Sequence, residues 1–235
     1  MAIGGIAIIQ MPASRNWKPE PAQGNSMALL RNKQFQILAF EGLVFGLAWG
    51  LLEISIPAFS TLQGTPGLSA PLLATLAGAS IVGGLLIGSW NSLTTPLQGF
   101  KWSSLGASIA AIPLVFTEPG WSMAIVLGLV GLGMGFAQVF HWEVLEAVRP
   151  QGTATSAQAW LWAVEGSTLA VGIALGGYLV ENVSPQSALI GVSIGLIIST
   201  IYIWFYAAGH LQEADKPLSE SQIIEVLADL ESPAE

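Results

Sequence analysis

Three glutamates lie inside long apolar runs of this chain. Glu41 and Glu53 sit near the two ends of "EGLVFGLAWGLLEISIPAF", residues 41–59, and Glu165 interrupts "AWLWAVEGSTLAVGIALGGYLVE", residues 159–181. An ionised acid at the centre of a membrane helix costs about 2.5–3.5 kcal/mol, so such residues face a bundle interior or a water-filled cavity and act there on protons, ions or solutes. Glu41 and Glu53 are twelve residues apart, which is about 120° around a helix and ~18 Å along it. They cannot converge on one atom, which excludes paired-carboxylate catalysis within that run. Glu165 is deepest, ~12 Å into its run, whereas Glu41 is only about 9 Å in. For each acid there is a plainer use: Glu41 reaching the interface beside Lys33, Glu53 reaching the opposite interface, and Glu165 hydrogen-bonding a neighbouring helix. We read Glu165 first, then Glu53 and Glu41, with Gln138, as the substrate or proton pathway.

Gln138, Ser167 and Thr168 are further polar side chains within apolar runs, while His141, Gln158, Trp160 and Trp162 lie nearer the ends. A histidine at a helix end is expected to be solvated, and tryptophan there is an interfacial anchor. "GAS" occurs at 78–80 and 106–108, and six spans with a buried serine suggest an intramembrane protease. That chemistry needs a histidine base within reach of the serine, and both histidines sit at span ends. The chain has no cysteine and two histidines, leaving no thiolate site and little for a metal cluster. We therefore expect no enzyme, no cofactor and no metal.

These residues must be positioned by helices in lipid. The chain of 235 residues is 52% hydrophobic and 9% charged, against about 25% charged for a soluble domain. The mean hydropathy is +0.63. Six apolar segments of near-spanning length, 35–59, 70–90, 101–117, 121–142, 157–181 and 186–208, predict an all-α integral membrane fold. The third is weakest, being interrupted by Pro113. Alternate connections lack basic residues, and all seven lysines and arginines fall on one side. That side is the cytoplasm by the positive-inside rule, so both termini are expected there, in the plasma membrane. No basic stripe exists for nucleic acid.

The apolar stretch 1–10 reads as the remnant of a preceding membrane helix, 11–34 as a cytoplasmic linker, 35–208 as the membrane domain and 209–235 as an acidic cytoplasmic tail. Residues 213–235 carry seven acids against Lys216. Ser219 and Gln222 fit a capping box for a short helix there. Small residues recur at i, i+4 within the spans: Gly42, Gly46 and Gly50; Gly84 and Gly88; Gly131 and Gly135; Gly172 and Gly176; Gly191 and Gly195. Such pairs let helix backbones approach closely, which drives association in lipid.

"GLAWGLLEISIPAF", "LLATLAGASIVGGLLIGSW" and "GTATSAQAWLWAVEGSTLAVGIALGGYLVE" resemble the C-terminal six-helix half of a major facilitator superfamily transporter, of the bacterial drug- or sugar-efflux sort. The resemblance implies proton-coupled or facilitative movement of a small organic solute between two six-helix halves that rock about a midplane site. The lipid bilayer, a small-molecule solute and a second half, either a separate chain or another copy, are the implied partners. One departure stands out: the family's G-x-x-x-D-R-x-G latch is matched here by "GSWNSLTTPLQG", with neither acid nor base. The contrasting class is a non-transporting membrane fragment or interaction protein.

Overall fold

A computed structural model describes residues 26–89 and 94–212. The expectations for 1–10, most of the linker, the 90–93 connection and the tail beyond 212, including the Ser219 and Gln222 pair, lie outside the described residues. Among those described there is no strand, and six helices are long and apolar enough to cross a membrane. They are α1 (Lys33–Leu62), α2 (Ser69–Ser89), α3 (Pro96–Ala111), α4 (Trp121–Val148), α5 (Ala154–Asn182) and α6 (Pro185–Tyr202). A single turn at Ser26–Leu29 precedes α1, so the end of the expected linker is helical, with Leu29 buried.

Local chemistry sets where the helices begin. Asn32 Oδ1 accepts from Phe35 N at 3.0 Å, capping α1. "TP" and "SP" start α3 and α6, with Thr95 and Ser184 accepting the first free N–H groups and a proline at the following position. Proline suits that position because its missing N–H would be unpaired there anyway. Pro113 ends regular α-helix at Ala111, and a 3₁₀ stretch over Ile112–Phe116 completes the third span. Within α1, Pro57 cannot donate to the Glu53 carbonyl, so one rung of that helix is open.

Close contacts fix the directions. Gly46 and Gly50 of α1 meet Glu165 and Leu169 of α5, the two helices running parallel; Gly131 and Gly135 of α4 meet Leu76 and Ser80 of α2, also parallel. α1 packs chiefly on α5 and α6, and α4 packs chiefly on α2 and α3, while α3 meets α6 and α1 meets α4 more lightly. Exchanging the first three helices with the last three leaves these contacts unchanged, although α5 also meets α6 and α1 also meets α2 without equivalents of similar extent. Three crossings separate equivalent helices, so the two triplets run in opposite directions.

The glycine interfaces are tight. A β-carbon at Gly46, Gly50, Gly131, Gly135 or Gly172 would lie 2.1–2.5 Å from a backbone or threonine oxygen of the partner helix. Gly42, Gly176, Gly191 and Gly195 abut side chains of Leu161, Ile54, Leu51 and Ala48. Gly84 and Gly88 correct the expectation: the first has nothing nearer than 3.8 Å and the second nothing within 4 Å. α2 is turned so that Gly83 faces α4 instead, where a β-carbon would lie 2.6 Å from the Leu132 carbonyl oxygen. α3 and α6 are joined by hydroxyls: Ser108 Oγ donates to Leu196 O at 2.8 Å, Thr200 Oγ1 to Ser104 O at 3.0 Å and Ser193 Oγ to Ala111 O at 2.9 Å.

The core falls into two apolar clusters. One contains Leu38, Phe100, Phe140, Leu161 and Ile203; the other contains Leu52, Leu114, Leu127, Leu189 and Leu196. Along α1, α3 and α6, Glu41, Ser104 and Ser199 fall between the members of the two clusters. A polar layer thus crosses the bundle. Large apolar side chains point outward, including Phe116, Trp121 and Phe205.

Candidate functional site

Glu41, expected to reach the interface beside Lys33, is instead buried on α1 and faces inward. Its Oε1 accepts from Ser199 Oγ of α6 at 3.0 Å, and its Oε2 is 3.0 Å from His141 Nδ1 of α4. The imidazole contact is at ion-pair distance but is not aligned as a hydrogen bond, so Oε2 has no hydrogen-bond partner. His141 is itself only 2% exposed and packs against Phe100 and Trp142, which corrects the expectation of a solvated end residue. α4 runs six residues past the expected end, to Val148. His141 is therefore about two turns inside the helix rather than at its tip.

Glu165 is also buried, at 7% exposure, against Gly42 and within electrostatic reach of His141 and Glu41. The absence of a side chain at Gly42 makes room for it: a β-carbon there would lie 3.1 Å from Glu165 Cγ. Glu165 Oε1 and His141 Nε2 have no protein hydrogen-bond partner. A buried polar atom left unpaired costs roughly 1–3 kcal/mol, so such atoms cluster where a fold holds a ligand or moves a proton. Three of them in one layer, on α1, α4 and α5, mark the site.

Two adjoining spaces open on this layer. A chamber of about 20 Å³ is bounded by Glu41, His141, Ser199, Thr200, Ser108 and Gln138, room for one water-sized group. A larger cleft of about 330 Å³ is bounded by Phe45, Trp49, Gln138, Trp142, Trp162 and Glu165, with Ser80 from α2. Gln138 lines both, as do Phe45 and Met134. Gln138, expected from sequence to belong to the pathway, thus lies between the two spaces. Trp142 and Trp162 stack at 5.8 Å across the α4–α5 side, and Phe45 and Trp49 stack along α1 at 6.1 Å.

Glu53 does not join them. It is exposed on α1 and lines neither space, being about 18 Å farther along the helix than Glu41. Ser167 and Thr168 donate to carbonyls of their own helix, Ala163 O at 2.6 Å and Val164 O at 3.0 Å. Ser108, one of the two serines considered as nucleophiles, is engaged with Leu196 O and Thr200. Sequence reasoning missed His141 as a partner of Glu41. The signal was available: each lies about eight residues from the basic end of its helix, Lys33 for one and Arg149 for the other, hence at similar depth in antiparallel helices.

Compared with family models, curated proteins and solved structures, the chain has no match. The site therefore has to be interpreted from its own chemistry.

Proposed function

We propose that the chain forms a membrane transport domain of the major facilitator type, inserted through α1 to α6, which moves a small organic solute through the Glu165 cleft. The observation that carries this reading is a buried carboxylate with an unpaired oxygen, facing an aromatic cleft at the mid-level of six apolar helices. Ionisable groups in such a position belong to substrate or proton pathways by default. The chief contacts shared by two oppositely directed triplets support it, since inverted three-helix repeats place transport sites at the repeat interface. The adjoining Glu41–His141 pair offers a second group able to hold a proton, which suits proton-coupled movement.

The orientation proposed is with both termini cytoplasmic in the plasma membrane. Arg31 and Lys33, Lys101, and Arg149 lie at the N-terminus of α1, the start of α3 and the C-terminus of α4, which is one end of the bundle. A second six-helix body completes the pathway. α2 and α5 support that part of the reading: only 17% of each apolar window is buried, against 44–56% for the other four spans.

The test is proton-coupled flux in vesicles carrying the assembled transporter. Glu165→Gln keeps the shape and removes the acid, and coupled flux is expected to be lost while the protein still folds. Unchanged coupling in that variant would reduce Glu165 to a packing residue between α1 and α5. An absence of flux under every assembly tried would favour a membrane interaction protein instead.

A further inference from the structure

The cleft also has a charge and shape preference, and we infer that its solute is a hydrophobic organic monocation, an amine or quaternary ammonium bearing apolar groups. This rests on the reading of the cleft as the transport site and names the class of molecule it takes. Four aromatic rings, Phe45, Trp49, Trp142 and Trp162, line it together with one buried carboxylate. The π-faces of tryptophan attract a cation lying within about 6 Å of the ring centre, more strongly when water is excluded. Glu165 lies one helical turn from Trp162 on the same face of α5. The Glu165 carboxylate borders the cleft and is the counter-charge that a bound ammonium or quaternary nitrogen would meet there.

The lining argues against the other common solute classes. No lysine or arginine borders the cleft, so an anion would meet only the Glu165 carboxylate and the negative faces of the rings. A sugar needs both donors and acceptors for nearly every hydroxyl; the cleft offers three indole N–H groups, which only donate, and the polar side chains of Ser80, Gln138 and Glu165. One buried acid matches one positive charge, since a second charge would be left desolvated and unpaired. The volume, about 330 Å³, is at the small end of ligand pockets. A single compact cation fits better than a long polyamine.

The experiment measures binding of radiolabelled benzyltrimethylammonium to the full chain in lipid nanodiscs, with empty nanodiscs subtracted. Saturable binding is expected, displaced by phenyltrimethylammonium and not by benzoate or glucose, and no saturable binding would overturn the inference. Glu165→Gln should weaken it at least ten-fold, and Trp162→Ala several-fold with partial recovery in Trp162→Phe. Trp162 is 61% exposed, so its replacement leaves the core intact and the measurement interpretable. Displacement by glucose or benzoate, or equal affinity in Glu165→Gln, would overturn the inference. Flux of a neutral solute in vesicles without any cation binding would also overturn it while leaving the transport reading standing. Cation binding with no cation flux in the assembled protein would do the reverse, sinking transport and keeping the site.

Discussion

At Gly50 the neighbouring helix leaves no room for a side chain. A β-carbon there would lie 2.2 Å from Leu169 O, a backbone atom that cannot swing away. Alanine is the better helix former by about 1 kcal/mol, but forced overlap in a packed interface costs typically 1–3 kcal/mol. Gly50→Ala is therefore expected to destabilise the bundle by up to about 2 kcal/mol net, read as a shift in detergent-induced unfolding. Gly88→Ala has open space around it and should be neutral or slightly stabilising. Equal loss at both positions would mean that close helix approach is not what these glycines provide. The Glu41–His141 contact makes a second test at this scale. Removing one partner of a buried pair strands the other and costs about 3–5 kcal/mol. His141→Gln alone is expected to destabilise by several kcal/mol, while Glu41→Gln with His141→Gln should lose less than the two single changes summed, with coupling of ~1.5 kcal/mol or more. Additive losses would make His141 an ordinary core residue. The sequence shows both residues and their matching depth, but not their pairing. That depends on rotation of α1 and α4 about their axes, which is set by glycine contacts with α5 and α2 rather than by anything local to Glu41 or His141.

The existence and order of the helices are plain in the sequence, because about twenty consecutive apolar residues leave a helix as the only way to pair every backbone group in lipid. Their ends are less plain. α1 was expected over 35–59 and runs over Lys33–Leu62, and α4 was expected to stop at 142 but reaches Val148. Apolar runs mark the hydrocarbon, whereas helices continue until a cap or a breaker intervenes. Asn32 caps α1, and Gly64 and Gly152, with φ of 71° and 75°, sit in the turns after α1 and α4. Which face of a helix packs is less legible. On α2 nearly every position is apolar, so no sequence stripe distinguishes Gly83 from Gly84, although one residue is about 100° of rotation. Helix direction gives the prediction at this scale. Thr65 and Ser184 lie at one end of the bundle, Thr155 at the end that carries Lys33 and Arg149. In this naturally cysteine-free chain, Thr65→Cys and Ser184→Cys should react with an impermeant thiol reagent added outside cells, and Thr155→Cys should react only after the membrane is opened. Outside labelling of Thr155→Cys would invert the proposed orientation.

For the molecule as a whole, the question is what covers α2, α5 and the cleft between them. The apolar surface of both helices can face lipid without penalty, since lipid tails are as apolar as leucine. The polar rim cannot do so freely. Glu165 and Gln138 border a cleft that Trp162 lines while largely exposed, and polar groups turned toward hydrocarbon cost several kcal/mol. Alternating access adds a mechanical requirement, because a site opens to one side and then the other only when two bodies move around it. The six-helix bundle is one such body. Its packing gives little scope for dividing it in two, since α1 and α4 each bind helices of the opposite triplet through backbone-close glycines. The glycines packed within the bundle cannot pair two copies, but Gly84 and Gly88 on α2 and Gly166 and Gly177 on α5 stay open, so either a separate half or a second copy can supply the second body. A single copy of the bundle is therefore expected not to transport. Reconstitution at a dilution where vesicles hold one copy or none should give no solute flux, with flux appearing when a second half is supplied. If it appears instead only as copy number rises, varying with the square of the protein added, two copies supply the two bodies. Flux that scales linearly with protein and persists at the single-copy limit would show that the bundle moves solute alone.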